Sequence, residues 1–306
     1  MARFLITGGA GFIGSSLAEA IASNDGDEVW LMDNLLTGRK ENVPDSSRVH
    51  FVEGDVNDYN QLTPLMCEVG FDHVFHYAAV VGVKRTLEHP VEVLDDIEGI
   101  KNVLKLCKET GVKRVFFSSS SEVYGESIEF PQHEETTPLN SRLPYAIVKN
   151  VGEAFFRVYQ QEYGLDFTIF RFFNTYGPRQ SPDFVVAKFF RAALAGEDLT
   201  VYGDGSQSRT FCSIDDNVET TLRIVSEGLH VNDVLNIGND AETSVLELAE
   251  TIIRVTGSNS RIVHAPPLAE GDMQRRLPDI SKMRVLLGRE LVSIEEGLGK
   301  IAEGLL

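Results

Sequence analysis

Tyr145 and Lys149 stand four residues apart at the head of a segment, residues 145–163, whose apolar positions Ile147, Val148, Val151, Ala154, Phe155, Val158 and Tyr159 recur at helical spacing. On a helix that separation makes the two side chains neighbours on one face. A free tyrosine, with a pKa of about 10, is a poor base at neutral pH. A lysine ammonium beside it and a cationic nicotinamide ring in front of it both favour the phenolate. Such a pair takes the proton from a hydroxyl while hydride leaves for an oxidised cofactor. The spacing also occurs by chance on solvated helix faces, so its meaning depends on what the rest of the chain supplies.

The chain supplies a dinucleotide turn. An apolar run, Phe4-Leu5-Ile6, breaks into Gly8, Gly11 and Gly14, and a helical pattern of Ile13, Leu17, Ala20 and Ile21 comes next. A diphosphate resting on a helix N-terminus meets unpaired N–H groups and the positive end of the helix dipole. Gly8 lets the chain turn, Gly11 lets backbone approach phosphate, and Gly14 lets helix and strand pack closely. Phe12 and Ile13 are expected to line the same cradle. A second apolar run, Val29-Trp30-Leu31-Met32, ends in Asp33-Asn34, where a carboxylate can hold the adenosine ribose diol and repel a 2′-phosphate. NAD is therefore expected over NADP, with Arg39 and Lys40 the nearby residues that oppose this choice. Asp55, with Val56 after it, comes after the third strand and suits either the adenine amino group or a helix cap. Ala78 and Ala79 end the fourth strand and leave room for a cofactor against the sheet.

Strand-like runs at 4–6, 29–32, 48–54, 73–77 and 114–117 alternate with helical patterns, including 60–69 and 90–110. That is the pattern of an α/β, Rossmann-type doubly wound parallel sheet, with ligands at the carboxyl ends of its strands. The serine run 118–121 sits at one such end. Residues 125–143 read as an irregular surface loop, and a further strand covers 167–173. Beyond it the alternation weakens through a helix at 185–195, the turn Tyr202-Gly203-Asp204-Gly205, a return at 234–238 and a helix at 245–256. The expected division is a NAD-binding domain of residues 1–173 plus about 210–240. A smaller, discontinuous α/β substrate-binding region takes about 174–209 plus 241–306, with the site between the two lobes.

With 306 residues, 42% hydrophobic and 24% charged, the chain has the composition of an ordinary globular protein. A formal charge of −18 argues against nucleic acid or an anionic membrane as partner. An anionic substrate would need local arginines. Cys67, Cys107 and Cys212 show neither disulfide nor metal-ligand spacing, and no metal site is expected. With no apolar run of membrane-spanning length and no secretory pattern, a cytoplasmic protein is expected.

Taken together, Thr7-Gly8-Gly9-Ala10-Gly11-Phe12-Ile13-Gly14, Asp33-Asn34, the serine run with Glu122-Val123-Tyr124-Gly125, Tyr145-x-x-x-Lys149 and Phe173-Asn174-Thr175-Tyr176-Gly177-Pro178-Arg179 resemble the extended short-chain dehydrogenase/reductases. More narrowly they resemble the nucleotide-sugar epimerases, dehydratases and decarboxylases, over a stretch reaching to about residue 298 that includes Gly203 to Arg209. The resemblance implies bound NAD recycled within one turnover, a UDP-sugar or similar substrate, and a 4-keto sugar intermediate. It implies that Tyr145 is the base at the C4 hydroxyl, that Lys149 binds the nicotinamide ribose, and that Ser120 hydrogen-bonds the C4 oxygen. It places Ser121 at the substrate and Asn174, Arg209 and one of Arg275 and Arg276 at the nucleotide diphosphate. It further implies a homodimer built on the helices 90–110 and 145–163. Asp96 departs from the pattern, standing where many such proteins carry Asn, and Ile100 stands where Thr is usual.

The fate of the oxidised sugar turns on Glu122. A 4-epimerase requires no carboxylate there, whereas a 4,6-dehydratase typically shows Asp-Glu, and Ser121 occupies the Asp position. Nucleotide-glucuronate decarboxylases resemble the chain in Ser121-Glu122 and in Gln274-Arg275-Arg276-x-Pro278, where Arg276 matches an arginine that faces a sugar carboxylate. Against them, Tyr145-Ala146-Ile147-Val148-Lys149 looks more like epimerases, and the decarboxylases' usual segment is missing from Val80-Val81-Gly82-Val83. The leading expectation is a UDP-sugar 4-epimerase, with a UDP-glucuronate decarboxylase as the alternative and a dehydratase after it. A non-catalytic nucleotide-sugar binding protein is the alternative from a different class.

Overall fold

The computed structural model describes residues 1–266 and 275–305. Strand β1 (Arg3–Thr7), helix α1 (Phe12–Ala22), β2 (Glu28–Asp33), β3 (Val49–Glu53), α2 (Tyr59–Val69), β4 (His73–His76), α3 (Val83–Glu88), α4 (Pro90–Thr110), β5 (Arg114–Ser120), α5 (Pro144–Tyr163) and β6 (Asp166–Phe172) succeed one another along the chain. With the strand Asp233–Ile237 they form a seven-stranded sheet in which Asp233–Ile237 is followed by β6, β5, β4, β1, β2 and β3. The pairings of β1 with β2 and β4, of β2 with β3, and of β4 with β5 are parallel, with Leu5 opposite both Trp30 and Val74. This is the doubly wound α/β sheet expected from the alternation.

The order reverses between β1 and β4: the chain steps outward through β2 and β3, then returns to the other side of β1. In such sheets the crevice beyond the strand ends at this switch is where ligands bind. The strands read as continuous apolar runs because both faces are covered. Leu5, Ile6, Val74, Phe75, Val115, Phe116 and Ile169 are completely buried, each contributing about 1.5–3 kcal/mol on removal from water. Two helical glycines bring their helices close to this core. A Cβ on Gly152 of α5 would lie 2.5 Å from the Phe117 ring, and one on Gly99 of α4 would lie 2.6 Å from Asn57 Oδ1.

The chain divides into two units. Unit 1 comprises Met1–Gly125, Leu139–Arg171 and Thr221–Leu235, and unit 2 comprises Glu126–Pro138, Phe172–Thr220 and Asn236–Leu306. Unit 2 has its own core, in which Phe189, Val201, Leu248 and Ile252 pack together. Its strands are short pairs: Thr175–Tyr176 with Cys212–Ser213, Ser208–Thr210 with Glu242–Ser244, and Leu199–Tyr202 with Ile262–Ala265. Part of the segment expected as a surface loop is instead built into this unit. Gln132 is fully buried, its N–H donating to Leu277 O (2.7 Å), and Glu134 Oε1 accepts from Asn236 N (2.9 Å). Buried polar groups are tolerated where they find such partners, and the loop's Glu-, Pro- and Ser-rich composition concealed this. Among the described residues no helix is long and apolar enough to cross a membrane.

Candidate active site

The glycine turn has the shape a diphosphate requires. Gly8 has φ +68°, and a Cβ there would stand 2.7 Å from Ala78 N, while a Cβ on Gly14 would stand 2.6 Å from Gly8 O. Helix α1 begins on Gly11, which is extended and carries no capping side chain, so an anion is the natural cap for its first N–H groups. Thr7 closes the turn from beneath: its hydroxyl lies 2.9 Å from His76 Nδ1 and accepts from Ala78 N at 3.2 Å. At the end of β2 the Asp33 carboxylate accepts from Ala10 N (3.0 Å) and Leu35 N (2.8 Å). Burial pushes its pKa up, against the pull of those amides. Each oxygen retains acceptor capacity for a ribose hydroxyl. Asn34 Nδ2 donates to Asp55 Oδ2 (3.2 Å), and Asp55 Oδ1 accepts from Asn57 N (2.8 Å), so Asp55 ties its own loop together. Val56 is buried, and its carbonyl accepts from Asn102 Nδ2 of α4 at 3.0 Å. The cradle fits a dinucleotide.

Strand β5 and helix α5 carry the candidate chemistry. The strand continues through Ser120, so that Ser118, Ser119 and Ser120 lie within it and Ser121 opens a 3-10 turn over Ser121–Tyr124. Ser120 Oγ accepts from Glu122 N (3.2 Å). This is the capping role common for serine, and it leaves the hydroxyl hydrogen to donate to a substrate oxygen. Tyr145 is half-buried at the second position of α5. Lys149 Nζ lies 5.6 Å from the centre of its ring and 4.9 Å from that of Phe117, and donates to Ser118 Oγ at 3.4 Å. Lys149 is buried, which pulls its pKa down to about 8 against the opposing charge of Asp96. A lysine so poised sits near the proton-transfer range of neutral solution.

A fully buried network beneath these residues has no counterpart among the expectations from sequence. Glu153, one turn after Lys149, receives Arg171 Nε at 2.9 Å and Nη2 at 2.7 Å, and Ser119 Oγ donates to it at 2.6 Å. Arg171 Nη1 donates to Tyr124 OH at 2.8 Å. The two-pronged pairing thus locks α5, the strand end before Ser120 and the turn carrying Glu122 into one frame. A signal is present in the sequence: Arg171 interrupts the otherwise apolar Phe167-Thr168-Ile169-Phe170, and a charge in a buried strand demands a partner.

Unit 2 holds the remaining candidates. Asn174 adopts φ +38° and donates from Nδ2 to Thr210 O (3.0 Å). Arg209 is 9% exposed, on a strand where it faces Thr243, and donates to Ser208 O at 2.7 Å. The two neighbouring arginines part company. Arg275 is an exposed residue held by Glu242 through contacts of 2.8 and 2.7 Å, whereas Arg276 is 7% exposed. Gln274, of the same motif, lies outside the described residues. Among the described residues no cluster of three or more His, Cys, Asp or Glu is suited to hold a metal.

Oxidising a carbinol requires a proton acceptor beside a bound dinucleotide, and the strand ends of unit 1 carry groups suited to both tasks. The class is that of nicotinamide-dependent enzymes acting on a hydroxyl. Residues 4–238 match the NAD-dependent epimerase/dehydratase family, and the chain belongs to it. Among curated proteins it is 37% identical to a UDP-N-acetyl-alpha-D-glucosaminuronate decarboxylase of Bacillus cytotoxicus, over 97% of this chain and 95% of the relative. It is also 37% identical to UDP-glucuronic acid decarboxylase 1 of Danio rerio, over 97% of this chain and 71% of that protein. Among solved structures, a UDP-glucose 4-epimerase of Thermotoga maritima superposes with a TM-score of 0.92 at 33% identity, covering 99% of this chain and 98% of the other.

Proposed function

We propose that the chain is a decarboxylase of a UDP-linked uronate, acting through a 4-keto sugar. This reverses the order expected from sequence, where the 4-epimerase led. The observation that carries it is the 37% identity to two uronate decarboxylases across 97% of the chain. The Ser121-Glu122 pair and the buried Arg276 are the residues this reading needs, and both are present.

In this reading Tyr145, as phenolate, takes the proton of the C4 hydroxyl, and Lys149 stabilises that phenolate and holds the nicotinamide ribose. NAD, when bound, supplies the acceptor for the C4 hydride and the donor for its return. A ketone at C4 makes the C5 carboxylate a β-keto acid. The C5–C6 bond then breaks, carbon dioxide leaves, and the electron pair moves onto the C4 oxygen as an enolate. Ser120 donates a hydrogen bond to that oxygen where charge develops, and Glu122 supplies the proton that C5 takes up. Arg276 recognises the uronate carboxylate, Asn174 and Arg209 the diphosphate, and Ser121 the sugar. Gly8, Gly11, Phe12, Ile13, Gly14, Asp33, Asn34, Asp55, Val56, Ala78 and Ala79 are assigned to NAD.

The test is incubation of the purified protein with UDP-glucuronate and UDP-N-acetylglucosaminuronate, with products followed by mass. Loss of carbon dioxide is expected, and an unchanged mass with a new sugar configuration would refute the proposal. The second reading, a UDP-sugar 4-epimerase, is favoured by the Thermotoga superposition and by the helix start Tyr145-Ala146-Ile147-Val148-Lys149. It predicts that unchanged mass, with UDP-glucose as the test substrate.

A homodimer through α4 and α5 belongs to the same proposal. Val91, Leu94, Ile147 and Val158 on these helices are 70%, 45%, 41% and 45% exposed, an apolar surface of the kind that partners cover. Light scattering should give twice the chain mass of 33.9 kDa, and a monomer would remove the dimer.

A further inference from the structure

Arg276, the arginine assigned to the uronate carboxylate, sits in a stretch with no regular structure of its own. Residues 275–280 fall between the strand Ile262–Ala265 and the helix Ser281–Leu287, marked only by an isolated bridge of Gln132 with Pro278. Side chains on such a stretch take their place from whatever grips its backbone. Here the grip is reciprocal. Gln132 N–H donates to Leu277 O at 2.7 Å and Asp279 N–H donates to Gln132 O at 2.8 Å, so the chain is bonded to segment 126–138 on both sides of Pro278. Asn236 fastens the pair. It is completely buried, and its two Nδ2 hydrogens go to two different segments, one to Gln132 O at 2.9 Å and the other to Asp279 O at 3.0 Å. Two residues on, a Cβ at Gly238 would lie 2.9 Å from Pro278 Cγ, so the backbone there abuts the same stretch. All these residues belong to unit 2.

We propose that Asn236 is a positioning residue for Arg276: by joining Gln132 to Asp279 it fixes the backbone from which Arg276 meets the anionic group of the substrate. The near end of the stretch has its own anchor. Arg275 lies over the Phe130 ring at 4.8 Å and pairs with Glu242 at 2.8 and 2.7 Å, while Leu277 and Asp279 are held through Gln132 and Asn236. Arg276 stands between the two ties. A guanidinium reads a carboxylate through parallel N–H···O bonds, whose geometry fails when either group is displaced by a fraction of its bond length. Removing the Asn236 amide takes a donor from each of two carbonyls and releases the far tie. Asn236 itself touches no substrate in this scheme, and its effect passes through Arg276.

This rests on Arg276 meeting a substrate anion, as the decarboxylase reading has it, and a double-mutant cycle separates the two. The cycle uses NAD-loaded protein carrying Tyr145→Phe, so that binding is measured without turnover, and adds Asn236→Ala, Arg276→Ala or both. UDP-glucuronate and UDP-glucose are the probes, with affinity read by calorimetry. Asn236→Ala should weaken UDP-glucuronate about fivefold or more while Arg276 is present, and less than about twofold once Arg276 is alanine. A purely structural role would weaken binding by the same factor in both backgrounds, and that additive result overturns the proposal. Asn236→Ser gives the same reading if the alanine variant folds poorly. The two probes report on the carboxylate itself: Arg276→Ala should weaken UDP-glucuronate about 10- to 100-fold and UDP-glucose far less. Equal losses for both sugars, with the cycle still non-additive, would support the role of Asn236 while counting against the decarboxylase reading. If Arg276→Ala changes neither affinity, both are overturned.

Discussion

Unit 1 and unit 2 solve the problem of placing functional side chains in different ways. In unit 1 the candidates sit on consecutive strand ends or within one helical turn, so that neighbours in sequence are neighbours in space: Ser118, Ser120 and Glu122 on one strand end and its turn, Tyr145 and Lys149 on one helix. In unit 2, Asn174, Arg209 and Arg276 belong to separate segments, and its paired strands are two to four residues long. A long helix on a parallel sheet fixes its residues through many shared contacts. A three-residue strand depends on its partner strand for its position. Damage in unit 1 should therefore fall on chemistry and on global stability, and damage in unit 2 on affinity.

The largest effect should come from Tyr145→Phe, which keeps the ring and removes the base. A loss of about 10²–10⁴ in kcat is expected, with NAD still bound by absorbance, and a near-wild-type kcat would remove Tyr145 from its role. Asn174→Ala in unit 2 should instead act mainly on KM. Next comes Glu153→Ala, which leaves the Arg171 guanidinium buried without its carboxylate. Stranding a buried charge costs about 3–5 kcal/mol, so the denaturant midpoint should fall sharply. A small change there would show that water reaches Arg171 and that the network does not set the frame.

Within unit 2 the two adjacent arginines offer an internal control. Arg276→Ala should raise KM for a uronate about 10- to 100-fold, corresponding to loss of a charge-assisted contact of about 1.5–3 kcal/mol. Arg275→Ala removes a surface pair with Glu242 whose contribution is below about 1 kcal/mol, and should leave KM and stability nearly unchanged. If the two behave alike, the difference in burial carries no functional meaning.

The same contrast between the units governs how much of the molecule is legible in its sequence. The glycine cradle, Asp33 and the Tyr145 and Lys149 pair can be read because their geometry is set within one turn or one strand-turn-helix unit, where spacing determines position. Helices Pro90–Thr110, Val185–Ala195 and Val245–Thr256 have the bounds their apolar periodicity predicts. The helix Ile214–Ser226 is not among the expected elements, because its first turn is Ile-Asp-Asp-Asn and its apolar face is thin. The Glu153 and Arg171 pairing joins residues on different elements, and Thr7 meets His76 across 69 positions. No local pattern encodes such a contact. The fate of the 4-keto sugar is least legible. In the proposed reaction it depends on Glu122 and Arg276, which lie far apart in sequence, and the motif details are divided between decarboxylases and epimerases.

The last effect is a pH dependence of stability to which two buried groups of unit 1 contribute. Asp96 has a pKa near 6 in the fold against an ordinary 3.8. The folded state therefore binds more protons than the unfolded between those values, and stability is lost as pH rises through that window. Lys149 lies at about 8 against an ordinary 10.5. Here the folded state binds fewer protons, so stability lost below pH 8 is regained as pH rises towards 10.5. Asp96 should contribute a fall in melting temperature between about pH 4 and 6, and Lys149 a rise above about pH 8, each read as the difference from the variant that lacks the group. Lys149→Met should abolish the rising component, because no buried ammonium remains to be neutralised. It should also extend the Asp96 fall to higher pH, since the Lys149 charge that favours its ionisation is gone. A Lys149→Met variant whose alkaline profile parallels wild type would show that Lys149 is hydrated, and would place the contrast between the two units in packing alone.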